Sequence, residues 1–235
     1  MTGGGSGIGL ACARALAADG AEVTVLGRRA EPLQRAVAEG AAHACLVADA
    51  QDEETIVAAG PFGIVVHAAG AAESAPFAAT DRALVERMLA ANLLTAFAVA
   101  RAVLPPMLAA RQGRIVFVAS TAALKGYPYV SAYVAAKHAV LGLARALAVE
   151  VAGSGVTANA ICPGFTDTPL LAASIERIVV ATGKTADEVR RSFVSYNPQK
   201  RLVRPEEVAA AVLWLCSEEA SAVNGKAIAI DGGET

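Results

Sequence analysis

At 235 residues the chain is long enough for one domain that buries a two-sided sheet, and its net charge of −2 leaves no basic excess to neutralise a phosphate backbone. A nucleic-acid partner is therefore not expected. Hydrophobic residues make up 55% of the chain, but many are alanine, and the longest apolar stretch, Leu93 to Ala110, is interrupted by Arg101 and Pro105-Pro106. It reads as a buried helix ending in a stop signal, not as a membrane span. Met1 runs directly into a glycine-rich loop with no charged leader and apolar core, so a cytoplasmic protein without a membrane partner is expected. Cys12, Cys45, Cys162 and Cys216 are widely spaced, with no CxxC pair and no His at ligand spacing, and no metal site is expected.

In chain order, the first feature is Thr2-Gly3-Gly4-Gly5-Ser6-Gly7-Ile8-Gly9, followed by a helix predicted over Ile8 to Ala18. Glycines allow positive φ and close approach of backbone to a pyrophosphate, and the helix N-terminus offers free N–H groups. Alone this is weak evidence, since a flexible N-terminus looks similar. A strand over Glu22 to Leu26 follows at βαβ spacing, then a helix over Glu31 to Ala38 and strands over Ala44 to Val47 and Gly63 to His67. A short helical stretch lies between Asp52 and Pro61. The spacing then predicts a helix over Asp81 to Ala110, a strand over Arg114 to Ala119, a helix over Val130 to Ala152 and a strand over Val156 to Ile161. Residues Pro169 to Arg204 form a long excursion of the kind that covers an active site. A helix over Pro205 to Cys216, opening on proline, and a strand over Ala227 to Ile230 complete the chain. Short apolar strands alternating with helices predict an α/β, doubly wound parallel sheet in a single domain spanning 1–235.

The chemistry concentrates in the second half. Tyr133 and Lys137 lie one helical turn apart, on one face. That pair alone would more often belong to a solvated surface face. Ser120, however, stands at the C-terminal end of a strand, where open parallel sheets place ligand-contacting residues. Asn92 sits inside a helix, where its side chain competes for backbone hydrogen bonds, and a structural kink is its other reading.

Taken in order, Thr2 to Gly9, Asp49, His67-Ala68-Ala69-Gly70, Asn92, Ser120, Tyr133 to Lys137, Asn159, Pro163-Gly164, Thr168 and Asp231-Gly232-Gly233 resemble the classical short-chain dehydrogenases/reductases over nearly the whole length. The resemblance implies hydride transfer between a nicotinamide cofactor and a small-molecule carbonyl or secondary alcohol. In that scheme Tyr133 is the general acid/base, with its pKa pulled down by Lys137 and the cofactor ring. Ser120 holds the substrate oxygen, and Asn92 places a water that links Lys137 to solvent. Cofactor contacts are implied at Gly3, Ser6, Gly7, Ile8, Gly9, Arg28, Asp49, Ala50, Ala69, Gly70, Tyr133, Lys137, Pro163, Gly164 and Thr168. A protein that binds NADP(H) as a sensor, without turnover, would not need the set Ser120, Tyr133 and Lys137. A nonfunctional fragment is a third reading.

Departures from the family pattern also carry information. His67-Ala68 replaces two asparagines, and His67 is read as a structural histidine because Tyr133 already serves as the base. The family's central first strand has only Met1 in its place, so that strand is expected to be missing from this chain. Gly27-Arg28-Arg29 lacks the carboxylate that would hold both adenosine ribose hydroxyls, so NADP(H) is expected to be preferred, with NAD(H) possible. The resemblance further implies a homotetramer built on the helices at 81–110 and 130–152, and a substrate like those of bacterial 3-oxoacyl-thioester reductases or 3-hydroxyacyl dehydrogenases. A free 3-hydroxy acid or a cyclic ketone is the alternative. In the cover, Leu170, Leu171, Ile175, Ile178, Val179, Phe193 and Tyr196 are expected to form an apolar inner face, with Arg190, Arg191, Lys200 and Arg201 at its outer edge.

Overall fold

The apolar runs pair as six parallel strands in a computed structural model that describes residues 1–235. They are β1 (Thr24–Gly27), β2 (Ala44–Val47), β3 (Ile64–His67), β4 (Gly113–Val118), β5 (Val156–Pro163) and β6 (Ala227–Ile230), and β3, β4, β5 and β6 are neighbours in that order. β1 pairs with β2 separately. The two blocks meet at Thr2, which bridges Leu26 on one side and His67 on the other. Leu26 N donates to Met1 O at 2.7 Å, Gly3 N to Leu26 O at 2.8 Å and Thr2 N to Val66 O at 3.1 Å. The position of the expected missing strand is thus held by two residues, which supply partners to backbone groups at the C-terminal ends of β1 and β3. A small cavity of about 30 Å³, lined by Met1, Thr24, Leu26 and Val65 among others, lies alongside them.

Alternation along the strands builds two cores. On β4, Ile115 and Phe117 face a cluster with Val99, Val103 and Met107 of α5 (Thr95–Ala110) and Val140, Leu141 and Ala144 of α6 (Ser131–Val151). Val116 and Val118 face the other cluster, with Leu16 of α1 (Gly7–Ala18), Leu33 of α2 (Ala30–Ala38) and Val212 of α9 (Pro205–Cys216). Helices on both faces of a parallel sheet make this the expected doubly wound α/β fold. The short α3 (Glu53–Ala59) is capped by Asp52, whose carboxylate accepts from Thr55 N at 3.1 Å.

Two helix expectations need correction. The helix predicted over 81–110 is interrupted: α4 (Arg82–Leu89) passes through one π-helical turn, Ala90–Leu94, before α5. Pro105 and Pro106 do not stop the chain but lie inside α5, which ends at Arg111 in the left-handed region. They remove the i−4 donors to the carbonyls of Arg101, which is exposed, and Ala102, which is buried. The excursion forms α7 (Pro169–Thr182) and α8 (Ala186–Tyr196), which pack on each other through Leu171, Ile175 and Val189.

Candidate active site

All of the site residues expected from sequence line one cleft of about 1430 Å³ at the C-terminal ends of the strands. The glycine loop forms one end. Gly3 (φ 63°) and Gly7 (φ 52°) are left-handed, and a Cβ on Gly9 would lie 2.3 Å from Gly3 O. The loop therefore passes under the start of α1 with no room for a side chain, leaving the first N–H groups of the helix directed outward for an anion. Ser6 is the N-cap and makes no side-chain capping bond. A Cβ on Gly7 would meet Thr168 Cγ2 at 3.2 Å, so the loop lies against the start of α7. Farther along, Arg28 and Asp49 are exposed and Ala50 is buried; Arg28 forms no ion pair, and Asp49 accepts from Gln51 N at 2.9 Å. This geometry fits an extended dinucleotide.

The other end holds the reacting groups. Ser120 ends the β4 segment, its hydroxyl accepting from Ala122 N at 3.1 Å. Lys137 is buried; its ammonium donates to Val118 O at 3.0 Å and lies 5.7 Å from the Tyr133 ring centroid. Burial lowers its pKa to about 8. The Tyr133 phenol is pushed up to about 12 by burial, partly offset by the Ser120 hydroxyl. Without a cofactor cation beside it, loss of hydration outweighs that hydrogen bond, and the phenol is protonated at neutral pH.

Asn92 lies in the π-helical turn. Its Nδ2 donates to Met88 O and to Ala71 O, both at 2.9 Å, while its buried Oδ1 has no partner. A Cβ on Gly70 would come within 2.7 Å of that oxygen and 3.6 Å of Lys137 Nζ. The Asn92 carbonyl thus stands beside the lysine with acceptor capacity to spare, in a position to hold a water. The turn at Pro163-Gly164 is tied to the sheet by Gly164 N, which donates to Ile230 O at 3.0 Å, and Thr168 caps α7 through Leu171 N at 3.3 Å. Ala69 N donates to Thr2 Oγ1 at 3.2 Å. His67 is buried between Thr2 (Nδ1 to Oγ1, 3.0 Å) and Thr95 (Nε2 to Oγ1, 3.3 Å), and burial lowers its pKa to about 3, so it is a neutral structural residue.

The cover differs from expectation. Leu170, Leu171, Ile178, Phe193 and Tyr196 line the cleft, but Ile175 and Val179 pack between α7 and α8. None of Arg190, Arg191, Lys200 and Arg201 lines it: Arg190 pairs with Asp167 at 3.0 Å and Arg201 with Glu207 at 2.7 Å. The cations from the cover that do line it are Arg177, which donates to Ala72 O at 3.0 Å, and Lys184. Sequence reasoning also missed Tyr127, Tyr129 and Phe165, whose common feature is only that they are aromatic and flank Ser120 and Gly164.

Comparison with known proteins agrees with this geometry. A family model described as "Enoyl-(Acyl carrier protein) reductase" matches residues 3–235. The chain is 35% identical to a D-beta-hydroxybutyrate dehydrogenase of Rhizobium meliloti, covering 100% of this chain and 97% of the relative. It is 39% identical to a galactitol 2-dehydrogenase (L-tagatose-forming) of Cereibacter sphaeroides, covering 100% and 93%. Among solved structures, a variant of the actinorhodin polyketide ketoreductase with NADPH superposes with a TM-score of 0.93 at 34% identity, covering 99% of this chain and 95% of that one.

Proposed function

The chain belongs to the short-chain dehydrogenase/reductase family and is an NAD(P)-dependent oxidoreductase of CH–OH and carbonyl groups; from that premise we propose that it is a cytoplasmic homotetramer that reduces a 3-oxoacyl thioester, with NADPH the preferred donor. Gly3, Ser6, Gly7, Ile8 and Gly9 hold the pyrophosphate, Asp49, Ala50, Ala69 and Gly70 the adenosine side and ribose, and Pro163, Gly164 and Thr168 the nicotinamide amide. Bound nicotinamide supplies the hydride to the carbonyl carbon.

Ser120 donates a hydrogen bond to the substrate oxygen. Tyr133, protonated at neutral pH, gives that oxygen its phenolic proton as the C=O bond becomes C–OH. Lys137 stabilises the phenolate left behind and donates to ribose hydroxyls. Asn92 Oδ1 accepts from a water beside Lys137, which gives Tyr133 a route to recover its proton.

Arg28, exposed in the cleft without an ion-pair partner and with no carboxylate beside it in Gly27-Arg28-Arg29, supports the NADP(H) preference. The single observation that carries the acyl-thioester reading is an apolar cover face, Leu170, Leu171 and Ile178, lining the same cleft as Arg177 and Lys184. An acyl chain buries against the first group, and the phosphate of a pantetheine arm pairs with the second. The test is a side-by-side assay of acetoacetyl-CoA, free acetoacetate and a cyclic ketone with NADPH and NADH. Thioester activity with higher kcat/KM for NADPH is expected, selectively weakened by Arg28→Ala. Activity confined to free acetoacetate or the cyclic ketone would overturn the thioester, and equal or better efficiency with NADH would overturn the cofactor preference.

A further inference from the structure

All four tyrosines of the chain line the cleft, and with Phe165 and Phe193 six of its eleven aromatic residues gather there, although Phe, Trp and Tyr make up only 5% of the sequence. Tyr133 is committed to the proton, so the other five call for a separate explanation. Four of them form a wall centred on Phe165, whose ring centroid lies 5.6 Å from that of Tyr127, 4.7 Å from Phe193 and 5.3 Å from Tyr196, in tilted or edge-on contacts.

The wall is fixed from behind. The Tyr127 hydroxyl shares a hydrogen bond with Thr121 Oγ1 at 2.6 Å and donates to the Glu234 carboxylate. The Glu234 side chain is only 2% exposed, and it pairs with the Lys125 ammonium at 3.1 Å. Lys125 in turn lies 5.2 Å and 5.9 Å from the Tyr127 and Tyr196 centroids. Because Thr121 directly follows Ser120, this anchoring starts one residue from the hydroxyl proposed to bind the substrate oxygen.

Tyr129 is the fifth ring. Its φ of 65° is a left-handed backbone that costs a bulky residue energy, and its carbonyl is held there by Ala75 N at 2.8 Å. The residue is 66% exposed, so the protein interior does not require the ring. The ring is thus a large aromatic surface on the wall of the cleft, open to a ligand.

We propose that the reducible ketone is carried on a planar ring, which stacks on Tyr129 and is seated against the wall of Tyr127, Phe165 and Tyr196. This deepens the reductase reading and rests on its assignment of Ser120 and Tyr133 to the reacting oxygen. An alkyl chain would gain burial at such a wall; a ring gains burial and stacking.

The test compares the 3-oxo-3-phenylpropionyl and 3-oxohexanoyl thioesters of N-acetylcysteamine, together with 2-tetralone, as substrates of the full chain with NADPH. The variants are Tyr129→Asn, which tolerates left-handed backbone, and Tyr129→Phe, which keeps the ring. Wild type should prefer the phenyl ketone over the hexanoyl one in kcat/KM by about tenfold, the size expected of one good aromatic contact. Tyr129→Asn should collapse that ratio mainly through KM for the phenyl ketone, with the melting temperature held or raised, and Tyr129→Phe should preserve it. Equal kcat/KM for the two thioesters in wild type, or an unchanged ratio in Tyr129→Asn, would overturn the ring inference while leaving the reductase reading intact. Reduction of 2-tetralone but of neither thioester would support the ring and remove the thioester. Reduction of none of the three would overturn both.

Discussion

Burial sets the charge of the three titrating side chains nearest the reaction. Tyr133 stays protonated, Lys137 titrates near 8, and His67 is neutral with its pKa lowered to about 3. For His67 this has a consequence for stability. In the unfolded chain the imidazole takes up a proton as pH falls below about 6.5, whereas in the folded chain it does not do so until about pH 3. The unfolded state therefore binds more protons between those values, and stability falls as pH falls through that window. At pH 5 the loss from this group is on the order of 2 kcal/mol relative to pH 7. Denaturant titrations should show that loss in wild type and a flatter pH dependence in His67→Asn; the same slope in both would contradict it. The structural role of His67 could be read from sequence because Tyr133 already supplied a base. Its partners could not: Thr2 and Thr95 lie 65 and 28 residues away and meet the ring only when the sheet and α5 assemble. Helical spacing likewise reveals the ammonium one turn from Tyr133 but not that Lys137 is buried.

At the scale of elements, α5 carries a stripe that its own fold does not cover. Leu94 at its N-terminal boundary, Phe97 and Leu108 are 49%, 52% and 40% exposed, and Leu104 is half-buried, all at spacings that return to one helical face. Val149 on α6 is 80% exposed. A second copy of the chain is the proposed partner for these faces. Light scattering at micromolar concentration should give a tetramer, and Phe97→Asp should shift it to a smaller species without loss of fold; a wild-type monomer would contradict the assembly. Helix placement was legible from the alanine-rich runs, but the behaviour of Pro105 and Pro106 was not. The pair removes the donors to the Arg101 and Ala102 carbonyls, yet the helix runs on to Ala110, held by the packing of Val99, Val103 and Met107, which sequence alone does not show. The π-helical turn was equally hidden, although Asn92, an awkward residue for a helix interior, marks its place.

In the whole molecule, parallel strands bring their C-terminal ends to one edge, so residues as far apart in sequence as Gly3 and Thr168 line a single cleft. Hydrophobic runs made the strand ends and Ser120 legible, whereas the place of Thr168 was legible only through the family resemblance. The cover was not, since Arg190 and Arg201 look available in sequence and are occupied in the fold by Asp167 and Glu207. At the sheet centre Met1 and Thr2 pair through backbone with β1 and β3, and the Thr2 hydroxyl adds contacts to His67 and Ala69 N. Tyr133 is proposed to deliver the proton to the carbonyl oxygen, while most of the dinucleotide's contacts come from other residues of the cleft. The most direct test is NADPH oxidation by wild type and Tyr133→Phe against the same ketone, with cofactor affinity measured in parallel. The account predicts that turnover drops by about two orders of magnitude or more, the usual worth of a general acid, while cofactor affinity stays within about threefold of wild type. Retention of more than about a tenth of the wild-type turnover would contradict it.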